Sequence, residues 1–239
     1  GLRVDMAHYF DQPSQAYDAN NGQSFAQIFG YDNTEVPNGN PVLQPRFGFN
    51  YDVGGRNLTQ VRGGIGVFSG SNPAVWISNS FSNDGTLLNS VFARNLDGGP
   101  IPFRADPDNQ YVAEDFGLSQ GSAEIDFTDP DFKSPTVWRT NLAVDHQLPA
   151  GFVATGELLY SDVINGMQWK ELNRAPFQRS EATVDGRTGV RRPAVSSDYQ
   201  SVILLTNTDK GHSFNATGQL QKPIGAGTFP ALGLSASYT

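Results

Sequence analysis

Leu43-Gln44-Pro45-Arg46-Phe47-Gly48-Phe49-Asn50-Tyr51-Asp52-Val53 decides the fold. Phe47, Phe49, Tyr51 and Val53 fall on one parity, and Arg46, Gly48, Asn50 and Asp52 on the other. Successive side chains of a strand point to opposite faces, so this pattern predicts a strand with one apolar and one polar surface. After Gly54-Gly55-Arg56-Asn57, a turn segment rich in residues that tolerate positive φ, the alternation resumes. Val61, Ile65 and Val67 now oppose Gln60, Arg62 and two glycines. Residues 43–68 therefore predict a hairpin of two long strands with unlike faces.

The same unit recurs along the chain. Leu2, Val4 and Met6 form the apolar side of an opening strand. Trp138, Thr140, Leu142 and Val144 lead through a turn at residues 148–151 into Phe152, Ala154, Gly156, Leu158 and Tyr160. A third hairpin begins with a long strand over residues 199–222, where Phe214, Ala216, Gly218 and Leu220 oppose Asn215, Thr217, Gln219 and Gln221. It turns at residues 223–227 and ends on Leu232, Leu234, Ala236 and Tyr238. Between these units lie polar stretches at residues 7–42, with a short helix expected near 24–29, at residues 69–134, where strand patterning lapses, and at residues 173–198.

Connections thus alternate long and short. In an up-and-down sheet consecutive connections lie at opposite ends, so all short turns gather at one end and all long loops at the other. Outer-membrane barrels have this asymmetry. The strands also exceed the roughly 5–6 residues usual in soluble sheets and match the roughly 9–11 that cross a bilayer at a tilt. The expected fold is all-β: a transmembrane antiparallel up-and-down β-barrel, of which residues 1–239 supply about seven strands within one outer-membrane barrel domain. Both ends read as strands cut short, so a fragment is expected.

Composition narrows the function. No apolar run approaches the roughly 18 residues of a membrane-spanning helix, whereas strands that show lipid only every second side chain are compatible with the low mean hydropathy of −0.39. Sixteen basic against 24 acidic residues, net −8, argue against nucleic acid as a partner. With no cysteine there is no disulfide, thiolate metal site or cysteine nucleophile.

Five ordered phrases carry a family resemblance: residues 43–53, Val61-Arg-Gly-Gly-Ile-Gly-Val-Phe68, Ala74-Val-Trp-Ile-Ser-Asn79, Val137-Trp-Arg-Thr-Asn-Leu-Ala-Val-Asp145 and Leu204-Leu-Thr-Asn-Thr-Asp-Lys-Gly211. Together they resemble the barrel segment of Oar-like TonB-dependent outer-membrane receptors of Gram-negative bacteria. The resemblance implies a barrel of about 22 strands, a plug domain and a TonB box, the last two not visible in this chain. It further implies energy from the TonB complex, contact with outer-membrane lipid, and ligand capture or surface recognition by the long loops, without catalysis or a cofactor. The ligand is not readable. An alternative from another class is a soluble secreted β-sandwich that binds glycans through Trp76, Trp138 and Trp169.

Candidate site residues follow from the pattern. Arg46, Asp52, Arg62, Arg139, Asp145 and Glu157 lie on the polar parity of their strands, the face that would meet the lumen or the plug. Between residues 84 and 133, ten acids stand against three bases, and Asp106, Asp108 and Asn109, or Asp126, Asp129 and Asp131, offer hard oxygen ligands for a divalent cation, although the spacing is not that of an EF-hand. The arginines of residues 173–198, Arg191 and Arg192 among them, are expected to pack against this acidic loop. Gly117-Leu-Ser-Gln-Gly121 spells a nucleophile elbow without the strand and helix that mechanism needs, and His8, His146 and His212 have no ligand-spaced partner, so no catalytic residue or metal centre is assigned.

Overall fold

The computed structural model describes residues 1–18, 22–85, 93–96, 98–117, 123–182, 188–197, 199–223 and 233–238. In chain order the strands are β1 (Leu2–Asp5), β2 (Val42–Asp52), β3 (Thr59–Ser69), β4 (Ala123–Thr128), β5 (Thr136–Gln147), β6 (Val153–Glu171), β7 (Gln178–Ala182), β8 (Thr188–Arg191), β9 (Tyr199–Thr208), β10 (His212–Pro223) and β11 (Gly233–Tyr238). Two helices, α1 (Phe25–Phe29) and α2 (Ala74–Ser82), lie in the first two long connections.

One antiparallel wall runs β1-β2-β3-β5-β6-β10-β11 and does not close on itself. Its register aligns the apolar parities of successive strands. Phe47 faces Ile65, which faces Thr140, then Tyr160, then Phe214. The next row on that side is Phe49, Gly63, Leu142, Leu158 and Ala216. On the opposite side Asn50, Arg62, Ala143, Glu157 and Thr217 form one row. A one-residue slip would mix the two chemistries, so the alternation itself holds the register. At the β2–β3 turn Gly54, Gly55 and Asn57 take φ of 82°, 65° and 54°, and both Asp52 carboxylate oxygens accept the Asn57 N–H, at 3.0 and 3.2 Å.

The long strand expected over residues 199–222 is present as β9 and β10. Both pair with β6 at a single offset, His212 opposite Asp162 and Thr208 opposite Gly166, and Val163 N–H donates to Gly211 O at 2.9 Å across the gap between them. At the same level β6 gains one residue over β5, since Val137 pairs Val163 but Thr136 pairs Asn165. Such a bulge exchanges the faces beyond it. A Cβ on Gly166 would lie 3.1 Å from Val163 Cγ1, although strict alternation would put positions three apart on opposite sides.

The long connections depart from the sequence expectation. Residues 69–134 are not a patternless polar loop: they form α2 and β4, and β4 pairs in parallel with β9, Ile125 beside Val202 and Phe127 beside Leu204. Residues 173–198 carry the β7–β8 hairpin. The expected short helix is α1, closed by Gly30 in the left-handed conformation. Its Phe25 is fully buried, with ring centroids 5.8 Å from Phe127 and 5.6 Å from Tyr199. Ala16, Ile125, Val202 and Leu204 complete this cluster, and a second one joins Ile77, Phe132 and Leu205.

Apart from Val42 and Ala143 in the wall, the buried apolar side chains among the described residues all belong to this cap. Asparagines that look hydrated in sequence staple its backbone. Asn173 Nδ2 donates to Ser196 O and Tyr199 O, both at 2.9 Å, while its Oδ1 accepts from Ser196 N–H at 2.8 Å. Asn33 bonds Ser14 O and Ala16 N–H, and Asn207 bonds both backbone groups of Lys133. Each satisfies backbone groups that the loop itself leaves unpaired.

Candidate functional site

The wall presents two surfaces of opposite chemistry. On the polar one, Arg62 Nε donates to Asp145 Oδ2 at 2.9 Å and Thr155 Oγ1 donates to Asp145 Oδ1 at 2.6 Å. Asn141 Nδ2 donates to Glu157 Oε1 at 3.3 Å. Nearer the cap, Gln44 is fully buried: its amide donates to Asp5 Oδ2, and its carbonyl accepts from Arg46 Nη2 and from Ser69 N–H. The Arg46 guanidinium lies 4.6 Å from the Phe68 ring centroid, while Arg139 is exposed. Arg46, Asp52, Arg62, Arg139, Asp145 and Glu157 thus share one surface. Only Arg62 and Asp145 make a direct ion pair among them, and both remain part-exposed.

The other surface is apolar and uncovered. Phe47 is 68% exposed, Tyr51 64% and Phe214 65%, with Leu43, Ile65, Leu142 and Leu158 open beside them. Monomeric soluble proteins rarely leave a contiguous patch of this extent to water. Aromatic groups mark its margins. Toward the cap Trp138 packs 5.3 Å from Tyr160, which stacks 6.4 Å from His212; toward the short turns Lys222 Nζ sits 4.8 Å over Phe152.

The acidic residues singled out for a cation are not brought together. Asp106 accepts from Asp108 N–H, Asn109 N–H bonds Asp106 O, and both Asp131 N–H and Thr206 Oγ1 donate to Asp129, each a local turn or a strand contact. Asp126 instead sits in β4 and accepts from Asn83 Nδ2 at 2.7 Å. No group of three or more His, Asp or Glu side chains among the described residues is arranged to hold a metal. Of the arginines expected to pack on the acidic loop, Arg192 donates to Arg174 O and Ala175 O and lies over Phe177, within its own connection. Of Arg191 only the backbone in β8 is described. Positions 118–121 of the Gly-x-Ser-x-Gly spelling lie outside the described residues. His8 packs on Phe10, and His146 bonds Thr59, far from each other.

Sequence reasoning named Trp76 and Trp169, together with Trp138, but did not foresee that the two alone meet in the cap. Trp76 from α2 and Trp169 from β6 meet edge to face at 4.9 Å over a small pocket, lined also by Asn79, Glu124, Asp126 and Leu205. Trp138 takes no part, so the three tryptophans do not form the glycan platform of the alternative reading. Burial, ahead of the opposing hydrogen bond from Asn83 and the repulsion of Glu124, raises the Asp126 carboxyl above its ordinary range. The missed signal was the alternation Glu124-Ile125-Asp126-Phe127, too short to stand out within an acidic stretch.

The family described as an outer membrane beta barrel domain matches residues 3–239. Among solved structures, the siderophore receptor PirA from Pseudomonas aeruginosa is similar at 13% identity and a TM-score of 0.36, over 78% of this chain and 26% of that one. The chain therefore spans about a quarter of that receptor's length. None of the curated proteins matches it.

Proposed function

Because the chain belongs to the outer membrane β-barrel domain family, we propose that its wall is one section of a TonB-dependent receptor of the Oar-like kind, with the rest of the barrel and a plug supplied by the same protein. The chain resides in the outer membrane, its apolar surface against lipid. In this reading Arg46, Asp52, Arg62, Arg139, Asp145 and Glu157 face the lumen, where water or the plug meets them, and the cap stands outside the cell as the ligand-facing part. The protein then works in uptake or surface recognition and not in catalysis.

The observation that carries the reading is the pairing of unlike faces with sorted connections. Among the described residues the β2–β3 and β5–β6 turns lie at one end, and the first two long connections pack with β9 into a cap at the other. A β-sandwich would bury its apolar face under a second sheet, whereas here that face is open and the core lies elsewhere. Two measurements on the full-length protein test the reading: heat-dependent migration of the membrane-embedded form on SDS gels, and site-directed cross-linking to TonB in intact cells. A heat shift with TonB cross-links supports a TonB-driven receptor. A heat shift without any cross-link would leave a barrel of another kind, and soluble protein without a shift would remove the barrel.

A further inference from the structure

We infer that the Trp76–Trp169 pocket of the cap binds an organic ammonium group. This deepens the receptor reading and rests on it for the cap's position outside the membrane.

The two rings are 47% and 42% exposed, although they touch each other. Ile203 and Leu205 line the pocket beside them. Two carboxylates flank it. Glu124 accepts from Ser201 Oγ at 3.0 Å, and Asp126, only 8% exposed, accepts from Asn83. No arginine or lysine among the described residues forms an ion pair with either. A carboxylate held out of water without a cation is costly, and an arriving positive charge offsets that cost. Tryptophan faces attract the same charge through the ring quadrupole.

Size and donor count select the class of cation. The pocket is small, about 70 Å³, so it takes one headgroup while the rest of the ligand stays outside. Calcium needs about 6–8 oxygen ligands, and this pocket offers aromatic walls where most of them would stand. Nor is the pair a membrane-interface belt. The belt row is Trp138, Tyr160 and His212, whereas Trp169 stands seven residues beyond Asp162 along β6, roughly 23 Å of extended strand.

The test uses the full-length protein refolded in detergent, with its heat shift verified. The methyl resonance of tetramethylammonium is followed by ligand-observed NMR against a sodium chloride control. Saturable binding is expected, weakened at least tenfold by Glu124→Gln, which keeps an acceptor for Ser201, and by Trp169→Leu. Calcium chloride should not displace the probe. Displacement by micelles doped with phosphatidylethanolamine, but not with phosphatidylglycerol, would assign the ammonium to a lipid headgroup; no displacement by either would assign it to a free ligand. Absence of saturable binding in heat-modifiable protein, equal binding by Glu124→Gln, or stoichiometric displacement by calcium would overturn the assignment while leaving the barrel intact. Loss of the heat shift itself in the wild type would remove the receptor reading, and this site with it.

Discussion

Leu142 stands midway along the apolar side of β5, between Trp138 at the cap margin and His146 near the short turns, with Gly63 and Leu158 beside it in the row. Leu142→Arg places a guanidinium at mid-depth of the lipid-facing surface. Arginine at the bilayer midplane of a β-barrel costs about 2–4 kcal/mol, falling to about 0–1 kcal/mol near the interfaces. At about 1.4 kcal/mol per factor of ten, the folded-to-unfolded ratio should fall roughly 30- to 1000-fold. Asn215 lies at nearly the same depth on the opposite surface, paired with Leu159. Asn215→Arg should therefore cost less than about 1 kcal/mol, because the lumen supplies water. His146→Arg, at the rim, should also stay within about 1 kcal/mol. The assay is guanidinium unfolding of the full-length protein in lipid vesicles. Equal costs at Leu142 and Asn215, or a larger one at Asn215, would refute the assignment of faces.

The cap should fail separately from the wall. Phe25→Ala removes a fully buried ring from the α1–β4–β9 cluster and should cost about 3–5 kcal/mol locally; faster proteolysis of the cap with an unchanged heat shift is expected, and loss of the shift would contradict it. Burial raises the Asp126 carboxyl, so the folded cap holds that proton more tightly than the unfolded chain does. Its contribution to stability is greatest in acid and is lost as pH rises from the ordinary carboxylate range through the raised value. Asp126→Asn should flatten this slope and stabilise the cap at neutral pH, as read by hydrogen exchange of β4 and β9 amides; a cap that instead loosens in acid would reverse the sign. A Cβ on Gly63 would lie 2.8 Å from both Asn141 O and Phe49 Cε1. Gly63→Ala should cost about 1–3 kcal/mol, and adding Phe49→Ala should recover only part, since the backbone oxygen cannot move aside; a neutral Gly63→Ala would show that the wall yields more than its geometry implies.

The wall was legible in the sequence because its two surroundings differ and its period is two. Phe47, Phe49 and Tyr51 against Arg46, Asn50 and Asp52 fixed both the strand and its faces, and the same logic reached Thr140 and Tyr160 in the neighbouring strands. The cap was not legible for an equally physical reason. Its core is assembled from single residues and short runs, such as Ala16, Phe25, Ile125 and Leu204, each set among polar neighbours and none showing a period. Asn33, Asn173 and Asn207 read as solvated turn formers, yet they bond backbone inside the packed loops. Of the candidate site residues, those on the wall could be placed by parity, whereas Asp126 read as a loop ligand although it belongs to a strand. The Trp76–Trp169 pair depends on α2 docking against β4 so that Trp76 reaches Trp169, a long-range contact that local patterning does not report.

β6 is continuous over 19 residues, from the short-turn end of the wall to the top of the cap, and it holds β9 and β10 in one register throughout. The core above it draws on Ala16, Phe25, Ile125 and Leu204, segments that meet nowhere else along the chain. Those segments have no partner until β3, β5, β6 and β10 have lined up and brought the three long connections to one rim. Because the cap joins residues as far apart as Ala16 and Leu204, topology predicts that the wall pairs before the cap packs. With the cap on the extracellular side, as proposed, its segments cross the bilayer as open chain, because a folded cap could not pass between strands that are already paired.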